Sequence, residues 1–196
     1  MLERYGFFGT IYMILCKIWT KVLFHKARII RFPIDIRGKK YIDFGNNLTT
    51  GRYCRFEVFP YNKCSDKILK FGDNCQMNDS CHISAMKSVE IGNDVLMAGH
   101  VYISDNSHGY YKGSNQSMPN VAPIDRENFI SPVRIGQNVW IGEGVVIMPG
   151  VEIGDGCIIG ANSIVTKSIP NNCIAVGCPA NVIKKYSTKT KTWERI

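Results

Sequence analysis

Four histidines are the side chains in this sequence best suited to move a proton near neutral pH, because imidazole titrates in that range. They are His25, His82, His100 and His108. A hydroxyl group becomes a good nucleophile only as its proton is removed, so a positioned imidazole can serve as the general base in a transfer to an alcohol. His108 is the strongest candidate, for reasons that depend on its place in the repeat that must position it.

A six-residue repeat provides the frame for these side chains. From Ile135 the sequence reads IGQNVW IGEGVV IMPGVE IGDGCI IGANSI VTKSIP. Every hexad begins with Ile or Val, and Gly follows at the second position in four of them. No helix has a period of six, so the pattern predicts a solenoid with one short strand and one turn per hexad. Three hexads then form one triangular coil, with the first-position side chains stacked inside it.

The same phase extends upstream and locates the insertions. Further hexads begin at Phe44, Thr50, Phe56, Phe71, Met77, Ile83, Ile91, Met97 and Ile103. Nine extra residues follow the first triplet of hexads, two follow the second and 26 follow the third, so every insertion falls at the same corner of the coil. Insertions in repeat proteins gather on one face, often the functional one. His108 directly precedes the largest insertion, 109–134, whose length predicts a functional or disordered loop.

Four of the eight cysteines occupy fifth positions of hexads, where a small buried side chain fits. They are Cys54, Cys75, Cys81 and Cys157. A free cysteine behaves in such a place as a small hydrophobic residue. We therefore interpret these cysteines as packing residues, rather than as disulfide partners or metal ligands.

Positive charge is concentrated at the start of the chain. Residues 1–40 contain nine Lys or Arg against two acidic residues, which gives +7 of the chain's net +8. A basic arm suits an anionic partner, either a nucleic acid or the inner leaflet of a membrane. No base-stacking or groove-reading motif accompanies it, so we expect no nucleic-acid partner.

The apolar run at residues 5–16 indicates neither a secretory signal nor a membrane span. Lys17 and Lys21 follow the run, where a signal peptide would have a small-residue cleavage site. The run is also shorter than the roughly 20 apolar residues that a bilayer requires. We therefore expect a cytoplasmic protein, with a peripheral position on the cytoplasmic side of the membrane as one form of that localisation.

Residues 6–30 are predicted to be helical, because Phe7, Ile11, Ile14, Ile18 and Val22 recur at steps of three and four. Two roles remain open for this helix. It can cap the open end of the solenoid, or it can lie on an anionic membrane surface.

The hexad phase divides the chain into three parts. Residues 1–40 form the basic amphipathic segment, residues 41–170 form the repeat body, and residues 171–196 form a C-terminal extension. The last ten residues, 187–196, are polar and basic, and we expect them to be mobile.

Residues 133–185 closely resemble the hexapeptide-repeat acetyltransferases, whose pattern reads IGxxxWIG…PGVxIG…IGAxSxVTKxIP…xGxPA. The segment VYISDNSHGYY resembles ISDxxHGxY of the sugar O-acetyltransferases of surface-polysaccharide assembly, such as lipopolysaccharide O-antigen acetyltransferases. The resemblance implies a mostly β fold, a left-handed parallel β-helix of about five coils. It also implies acetyl-CoA as co-substrate, a sugar or lipid-linked glycan as acceptor, and a homotrimer with its active sites at the subunit boundaries.

The resemblance assigns the catalytic base to His108, which takes a proton from the acceptor hydroxyl during direct attack on the thioester. A base is usually held by an acceptor on its other ring nitrogen. Asp105, Glu127 and a backbone carbonyl are all candidates for that acceptor, and the sequence does not choose among them. His82 of a neighbouring subunit is a further candidate for the site.

The resemblance also assigns the coenzyme side of the site. The positions are Trp140, Gly142, Glu143, Ala161, Thr166, Lys167, Asn181, Lys184 and Lys185. Small residues on successive coils leave room for the pantetheine arm, and the paired lysines suit the nucleotide phosphates. The sequence departs from the family at Asn181, where many relatives have Arg or Lys, and at Glu143, which replaces a small residue. No metal is expected.

Three alternatives remain open. The acceptor of the same chemistry can be serine or a xenobiotic. A hydratase similar to the γ-class carbonic anhydrases needs three histidine ligands, but His82, His100 and His108 fall at three different positions of the coil. A non-catalytic scaffold at a membrane surface does not account for a histidine beside a long insertion.

Overall fold

The computed structural model describes residues 2–63 and 65–196. In these residues one helix, α1 (Leu2–Leu23), which is kinked at Gly6 (φ 64°), precedes a body of short strands, which are numbered in chain order. Short 3-10 helices lie at Lys39–Tyr41 and Pro123–Asp125. The prediction of a mostly β fold built on a hexapeptide repeat, with an N-terminal helix, is confirmed.

Three parallel sheets form the faces of the body. Face 1 contains β2 (Ile42–Asp43), β4 (Leu69–Phe71), β7 (Val89–Ile91), β12 (Val133–Ile135) and β15 (Glu152–Ile153). Face 2 contains β5 (Gln76–Met77), β8 (Leu96–Met97), β13 (Trp140–Ile141), β16 (Ile158–Ile159) and β18 (Cys173–Gly177). Face 3 contains β1 (Asp35–Arg37), β3 (Arg55–Val58), β6 (His82–Ala85), β9 (Tyr102–Ser104), β14 (Val146–Ile147) and β17 (Ile164–Val165). The chain visits the three faces in turn, so they enclose one core.

First positions of the hexads fill this core. Ile135, Ile141, Ile147, Ile153 and Ile159 are all at most 2% exposed. Ile141 and Ile159 are paired in neighbouring parallel strands of face 2, as the stacking of first positions predicts. Thr50 is buried as well, and its hydroxyl oxygen accepts the backbone N–H of Arg31 at 3.2 Å. That bond explains how one polar residue is tolerated among the apolar first positions.

The fifth-position cysteines are buried and donate to backbone carbonyls of the next stretch of chain. The thiol of Cys75 donates to Gly92 at 3.1 Å, and that of Cys157 donates to Pro170 at 3.0 Å. Burial raises the pKa of Cys75 to about 11, so its thiol stays neutral. All seven cysteines that the structure describes are free, in agreement with a packing role.

The corners of the repeat turn at the fourth position of each hexad. Five consecutive fourth positions have a left-handed backbone: Asn138, Gly144, Gly150, Gly156 and Asn162, with φ from 56° to 84°. Only Gly and Asn adopt this conformation at low cost, which explains their recurrence there. His100 is the fourth residue of the hexad that begins at Met97, and it has φ 56° at the corner that Gly144 occupies in the next coil. Its backbone therefore forms part of the turn.

The parallel sheets extend beyond the predicted body at both ends. At the start, β1 pairs with β3 and belongs to face 3. At the end, β18 pairs with β16, and two further strands follow in antiparallel order, β19 (Ala180–Ser187) and β20 (Thr192–Arg195). The prediction of a mobile tail is therefore wrong, because residues 192–195 gain a full strand partner that their polar composition does not reveal.

Helix α1 is attached to the body by its less apolar side. Cys16 and Thr20 are buried, and Thr20 accepts the N–H of Ile30 at 2.8 Å through its hydroxyl oxygen. The hydroxyl of Tyr12 donates to the carbonyl of Phe32 at 2.7 Å. The helix ends at Leu23, so the predicted extension to residue 30 is wrong and His25 lies outside it.

The predicted apolar stripe of α1 faces away from the body. Its members are 42% to 75% exposed: Phe7, Ile11, Ile14, Ile18 and Val22. By length and composition α1 is sufficient to cross a membrane. However, the hydrogen bonds from Tyr12 and Thr20 attach one side of it to the protein over about two turns.

Candidate active site

His108 is the last residue of β10 (Asn106–His108), which pairs antiparallel with β11 (Asn128–Ile130). These strands close the base of the large insertion, and His108 lies opposite Asn128. The next residue, Gly109, donates its N–H to the carbonyl of Glu127 at 3.0 Å. The insertion therefore differs from the structureless loop that its length suggests, since backbone pairing fixes His108 at its base.

A chain of side-chain contacts holds the insertion against His108. Tyr111 donates its hydroxyl to the carbonyl of His108 at 2.8 Å, and Arg126 donates to that same hydroxyl oxygen at 2.8 Å. Arg126 also donates to the carbonyls of Val121 at 2.9 Å and Pro119 at 3.2 Å. That Tyr111 and Arg126 hold the insertion could not be predicted from the sequence, because this function depends on contacts between distant parts of the insertion.

Asp105 is fully buried, and its carboxylate is saturated by donors from its own chain. It accepts the backbone N–H groups of residues 86, 87 and 88 at 2.7 to 2.8 Å, and the side-chain amide of Asn106 at 3.0 Å. A carboxylate offers about four acceptor positions, so none remains for the ring of His108. Asp105 fastens the turn at 86–88 in this structure, and among the described residues it makes no hydrogen bond to the ring of His108.

A cavity of about 750 Å³ lies beside the hairpin. His108 is not among the residues that line it, but the strand pairing places His108 on the side of the hairpin that faces it. Directly opposed residues of antiparallel strands project to one face, and Asn128, the partner of His108, lines this cavity. Aromatic and charged side chains form much of its wall, among them Tyr61, Asp66, Lys67, Lys87, Tyr110 and Glu127. We call it the polar cavity. The exposed carboxylate of Glu127 makes no hydrogen bond among the described residues, so Glu127 stays a candidate acceptor for His108.

His82 belongs to a polar cluster on face 3. Its Nε2 lies 2.9 Å from Oε2 of Glu57, and its ring packs against Tyr102 with the centroids 5.1 Å apart. Burial alone would raise the pKa of Glu57, but hydrogen bonds from Arg55 and His82 outweigh that effect and leave the pKa below its usual value. Within one protomer, His82 is therefore engaged by Glu57 and does not line the polar cavity.

Gly142, Glu143 and Ala161 meet at the corner between faces 2 and 3. A Cβ added to Gly142 would lie 2.6 Å from the backbone nitrogen of Ala161, so coil stacking alone requires glycine here. Glu143 points to the preceding coil, where it accepts the N–H of Gly99 at 2.7 Å and lies 2.8 Å from Nδ1 of His100. The bond with His100, and then that with Gly99, lowers the pKa of Glu143. Ala161 is left exposed at this corner.

Trp140 stands on the outer side of face 2, with 52% of its surface exposed. Two strands, β16 and β18, separate it from Lys184 on β19. Neighbouring strands are about 4.8 Å apart, so the two side chains begin about 14 Å apart on one sheet. Asn181 and Lys185 are exposed on the same strand as Lys184.

Thr166 and Lys167 follow β17 at the corner between faces 3 and 1, which also carries the insertion. Thr166 lines a cavity of about 230 Å³ together with Ser107 and Phe129, from the opposite side of the hairpin to the polar cavity. The predicted coenzyme-binding residues therefore lie in two separate places within one protomer. Thr166 and Lys167 lie near the hairpin of His108, whereas the group around Ala161 lies across face 3.

The histidines of the body are also dispersed. His82 lies on β6, His100 at the corner between faces 2 and 3, and His108 on the hairpin. Within residues 2–63 and 65–196, no three His, Cys, Asp or Glu side chains are grouped as metal ligands. A three-histidine site would therefore need ligands from more than one subunit.

Comparison with known proteins places the repeat in a described family. Residues 132–167 match the family model "Bacterial transferase hexapeptide (six repeats)". WbbJ of Escherichia coli strain K12, provisionally named a lipopolysaccharide biosynthesis O-acetyl transferase, is 43% identical over 98% of this chain and 96% of its own length. The galactoside O-acetyltransferase of the same strain is 39% identical over 63% of this chain and 57% of its own length.

Two solved structures share the fold. A variant of AntD, an N-acyltransferase from Bacillus cereus in complex with dTDP-4-amino-4,6-dideoxyglucose and coenzyme A, superposes with a TM-score of 0.68 at 21% identity, over 84% of this chain and 83% of that one. A galactoside acetyltransferase in complex with coenzyme A superposes with a TM-score of 0.54 at 28% identity, over 87% and 70%.

Proposed function

The chain belongs to the hexapeptide-repeat acetyltransferases, and from this we propose that it moves the acetyl group of acetyl-CoA to a sugar hydroxyl in surface-polysaccharide (O-antigen) biosynthesis. The observation that carries the proposal is the position of His108. No hydrogen bond among the described residues engages its ring, and it projects toward a polar cavity whose volume suits a sugar-sized ligand. Aromatic and charged side chains in that cavity suit a ring that carries several hydroxyl groups.

In the proposed mechanism the oxygen of the acceptor hydroxyl attacks the thioester carbonyl while His108 removes the proton of that hydroxyl. The carbon–oxygen bond forms, and the tetrahedral intermediate then collapses with cleavage of the carbon–sulfur bond. The imidazolium returns its proton to the departing thiolate. Glu127 is the group that we assign to orient the ring, since the carboxylate of Asp105 is already saturated.

An acceptor screen tests this function. The purified protein is incubated with acetyl-CoA and a panel of free, nucleotide-linked and lipid-linked sugars, with serine and chloramphenicol as acceptors of the alternative classes. Free thiol release identifies the acceptor, and mass spectrometry of the product should show one added acetyl group. Thiol release with serine or chloramphenicol but with no sugar would reject the sugar acceptor.

The coenzyme is proposed to lie along the corner that carries Ala161 and across face 2 toward Lys184. Ala161→Trp should then weaken coenzyme A binding by at least about tenfold, because the indole fills the space of the pantetheine arm. Isothermal titration with coenzyme A measures the effect. Thr188→Trp, in the exposed turn between β19 and β20, is the matched control. Equal affinity in the two variants would place the coenzyme elsewhere.

A homotrimer with left-handed coils, five in number, completes the proposal. Within one protomer the Ala161 corner and the His108 hairpin are separated by face 3. A neighbouring copy that supplies its own corner would bring acetyl donor and base together. The division of the predicted site residues between two corners supports this arrangement.

Helix α1 is proposed to seat the enzyme on the cytoplasmic side of a membrane. Its apolar stripe would enter the lipid, while Lys17 and Lys21 reach the head groups. Each lysine near an anionic surface adds about 1 kcal/mol of attraction, so Lys17→Gln/Lys21→Gln should lower partitioning onto anionic vesicles roughly 30-fold. Flotation with vesicles of phosphatidylglycerol and phosphatidylcholine measures this.

Two controls accompany the vesicle measurement. Lys189→Gln/Lys191→Gln removes the same charge from the turn before β20 and should leave partitioning unchanged. Added salt should weaken the binding of the unmodified protein, since it screens exposed charges. If the unmodified protein stays in solution at low salt, α1 is not a membrane-binding helix.

A further inference from the structure

Three cavities adjoin one another between His108 and helix α1. Lys67 lines both the polar cavity and a second one of about 640 Å³, which we call the basic cavity. Leu23, Phe24 and Lys39 line both the basic cavity and a third of about 600 Å³, the apolar groove. The three cavities therefore form a series, each sharing wall residues with the next, from the body side of α1 to the hairpin that carries His108.

The apolar groove is bounded by α1 on one side and by residues 30–36 on the other. Its wall is mostly hydrophobic, with Trp19, Ile30, Phe32 and Ile34 among its members. Trp19 packs edge-to-face on Phe32 and is 55% exposed, so it belongs both to the groove and to the outer surface of the helix. The groove is thus open to whatever medium covers the exposed face of α1.

The basic cavity is lined by four lysines, Lys26, Lys39, Lys40 and Lys67. Among the described residues, no carboxylate forms an ion pair with any of them. Lys39 donates to the carbonyl of Leu23 at 3.0 Å, and Lys67 donates to that of Lys40 at 2.8 Å. Lys39 also lies over the ring of Phe24, 4.2 Å from its centroid, so both lysines are positioned without a described carboxylate partner.

Asp43 also lines the basic cavity and accepts the N–H of Gly45 at 3.1 Å. Four lysines against one aspartate give the lining of the cavity a net positive charge. A cavity of this kind favours a phosphate or diphosphate group, which forms charge-assisted hydrogen bonds with lysine.

The order of the three cavities matches the order of groups in one class of molecule. From this order we infer that the acceptor is a lipid-linked sugar phosphate or diphosphate. Its hydrocarbon chain lies in the apolar groove, its phosphates lie among the lysines of the basic cavity, and its sugar lies in the polar cavity facing His108. A nucleotide-linked sugar carries no hydrocarbon chain to match the groove. The inference rests on the proposed function, whose acceptor it specifies.

The test measures binding, without catalysis and without vesicles. Farnesyl diphosphate, used below its critical micelle concentration, is the probe because it has an apolar chain and a diphosphate. Inorganic diphosphate and UDP-glucose are the comparison ligands. In equilibrium dialysis, farnesyl diphosphate should bind at least about tenfold more tightly than either, since only it fills the groove and the basic cavity together.

Variants assign the binding to these cavities. Lys26→Glu/Lys40→Glu and, separately, Trp19→Ala should each weaken farnesyl diphosphate at least about tenfold. Lys189→Glu/Lys191→Glu and Trp193→Ala are the matched controls and should bind the probe normally. Circular dichroism of each variant verifies that α1 and the sheets remain folded.

Two outcomes would overturn the inference. Equal affinity for farnesyl diphosphate and inorganic diphosphate would show that the protein binds only the anion and that the apolar groove contributes nothing. Tighter binding of UDP-glucose would indicate a nucleotide-linked acceptor. Coenzyme A binding is measured on the same preparations. If the unmodified protein binds farnesyl diphosphate but not coenzyme A, the proposed function is rejected and the lipid site is retained.

Discussion

His108→Ala should lower kcat by about 10²- to 10⁴-fold with a verified acceptor, the usual contribution of a positioned general base. The loss arises because the hydroxyl must then attack with its proton in place. Coenzyme A affinity should hardly change, since the imidazole acts on the acceptor. The measurement is the rate of thiol release under saturating acetyl-CoA, with coenzyme A binding determined separately by titration.

The pH dependence distinguishes a lost base from a disturbed site. In the unmodified enzyme, kcat/KM should rise with pH as the general base loses its proton, and this limb of the pH profile should be absent in His108→Ala. Glu127→Gln should lower kcat by a smaller factor and retain the limb, because it removes an orienting group and leaves the base. Near-full turnover in His108→Ala would exclude this mechanism and make the partner subunit's His82 the leading candidate.

Asp105→Ala should destabilise the fold by about 3 kcal/mol, because it removes the buried charged acceptor shared by three backbone N–H groups. For a chain of this size that corresponds to a fall in Tm of roughly 6–12 °C. The reason is the carboxylate's contact with residues 86 to 88, all at 2.7 to 2.8 Å. Thermal unfolding followed by circular dichroism measures the shift.

A matched acidic residue provides the control for Asp105. Asp73 is only partly buried and accepts the backbone N–H and the side-chain amide of Asn46, both at 2.9 Å, across a corner, so Asp73→Ala should lower Tm by less than Asp105→Ala. Asp105→Asn keeps one acceptor oxygen and should lie between the two. If Asp105→Asn melts normally but loses most of its kcat, Asp105 acts on His108 after all, and the orienting role passes from Glu127 to Asp105.

The repeat could be predicted from the sequence because its cause is local and periodic. Ile141 and Ile159 stack since identical hexads put identical side chains inside successive coils, and the left-handed turns at Asn138 and Gly144 follow from the same period. The position of the insertions at one corner follows by counting. These features can be predicted without knowing which residues distant in sequence are in contact.

The features that could not be predicted depend on contacts between segments distant in sequence. Asp105 is three residues from His108, yet its carboxylate is used by a turn 17 to 19 residues earlier. Arg126 reaches His108 only through Tyr111. For α1, periodicity correctly groups Ile11 and Ile18 on one stripe, but it does not reveal that the stripe faces outward while Thr20 faces the protein.

The reversal of chain direction at the end of face 2 limits the length of the particle. A parallel solenoid that stopped at β18 would present bare N–H and C=O groups to the next molecule and invite head-to-tail fibre growth. Here β19 runs antiparallel to β18, β20 runs antiparallel to β19, and β20 carries Glu194 and Arg195. Such a charged border discourages addition of another strand. We therefore expect β19 and β20 to hinder end-to-end association of two solenoids at this edge of face 2.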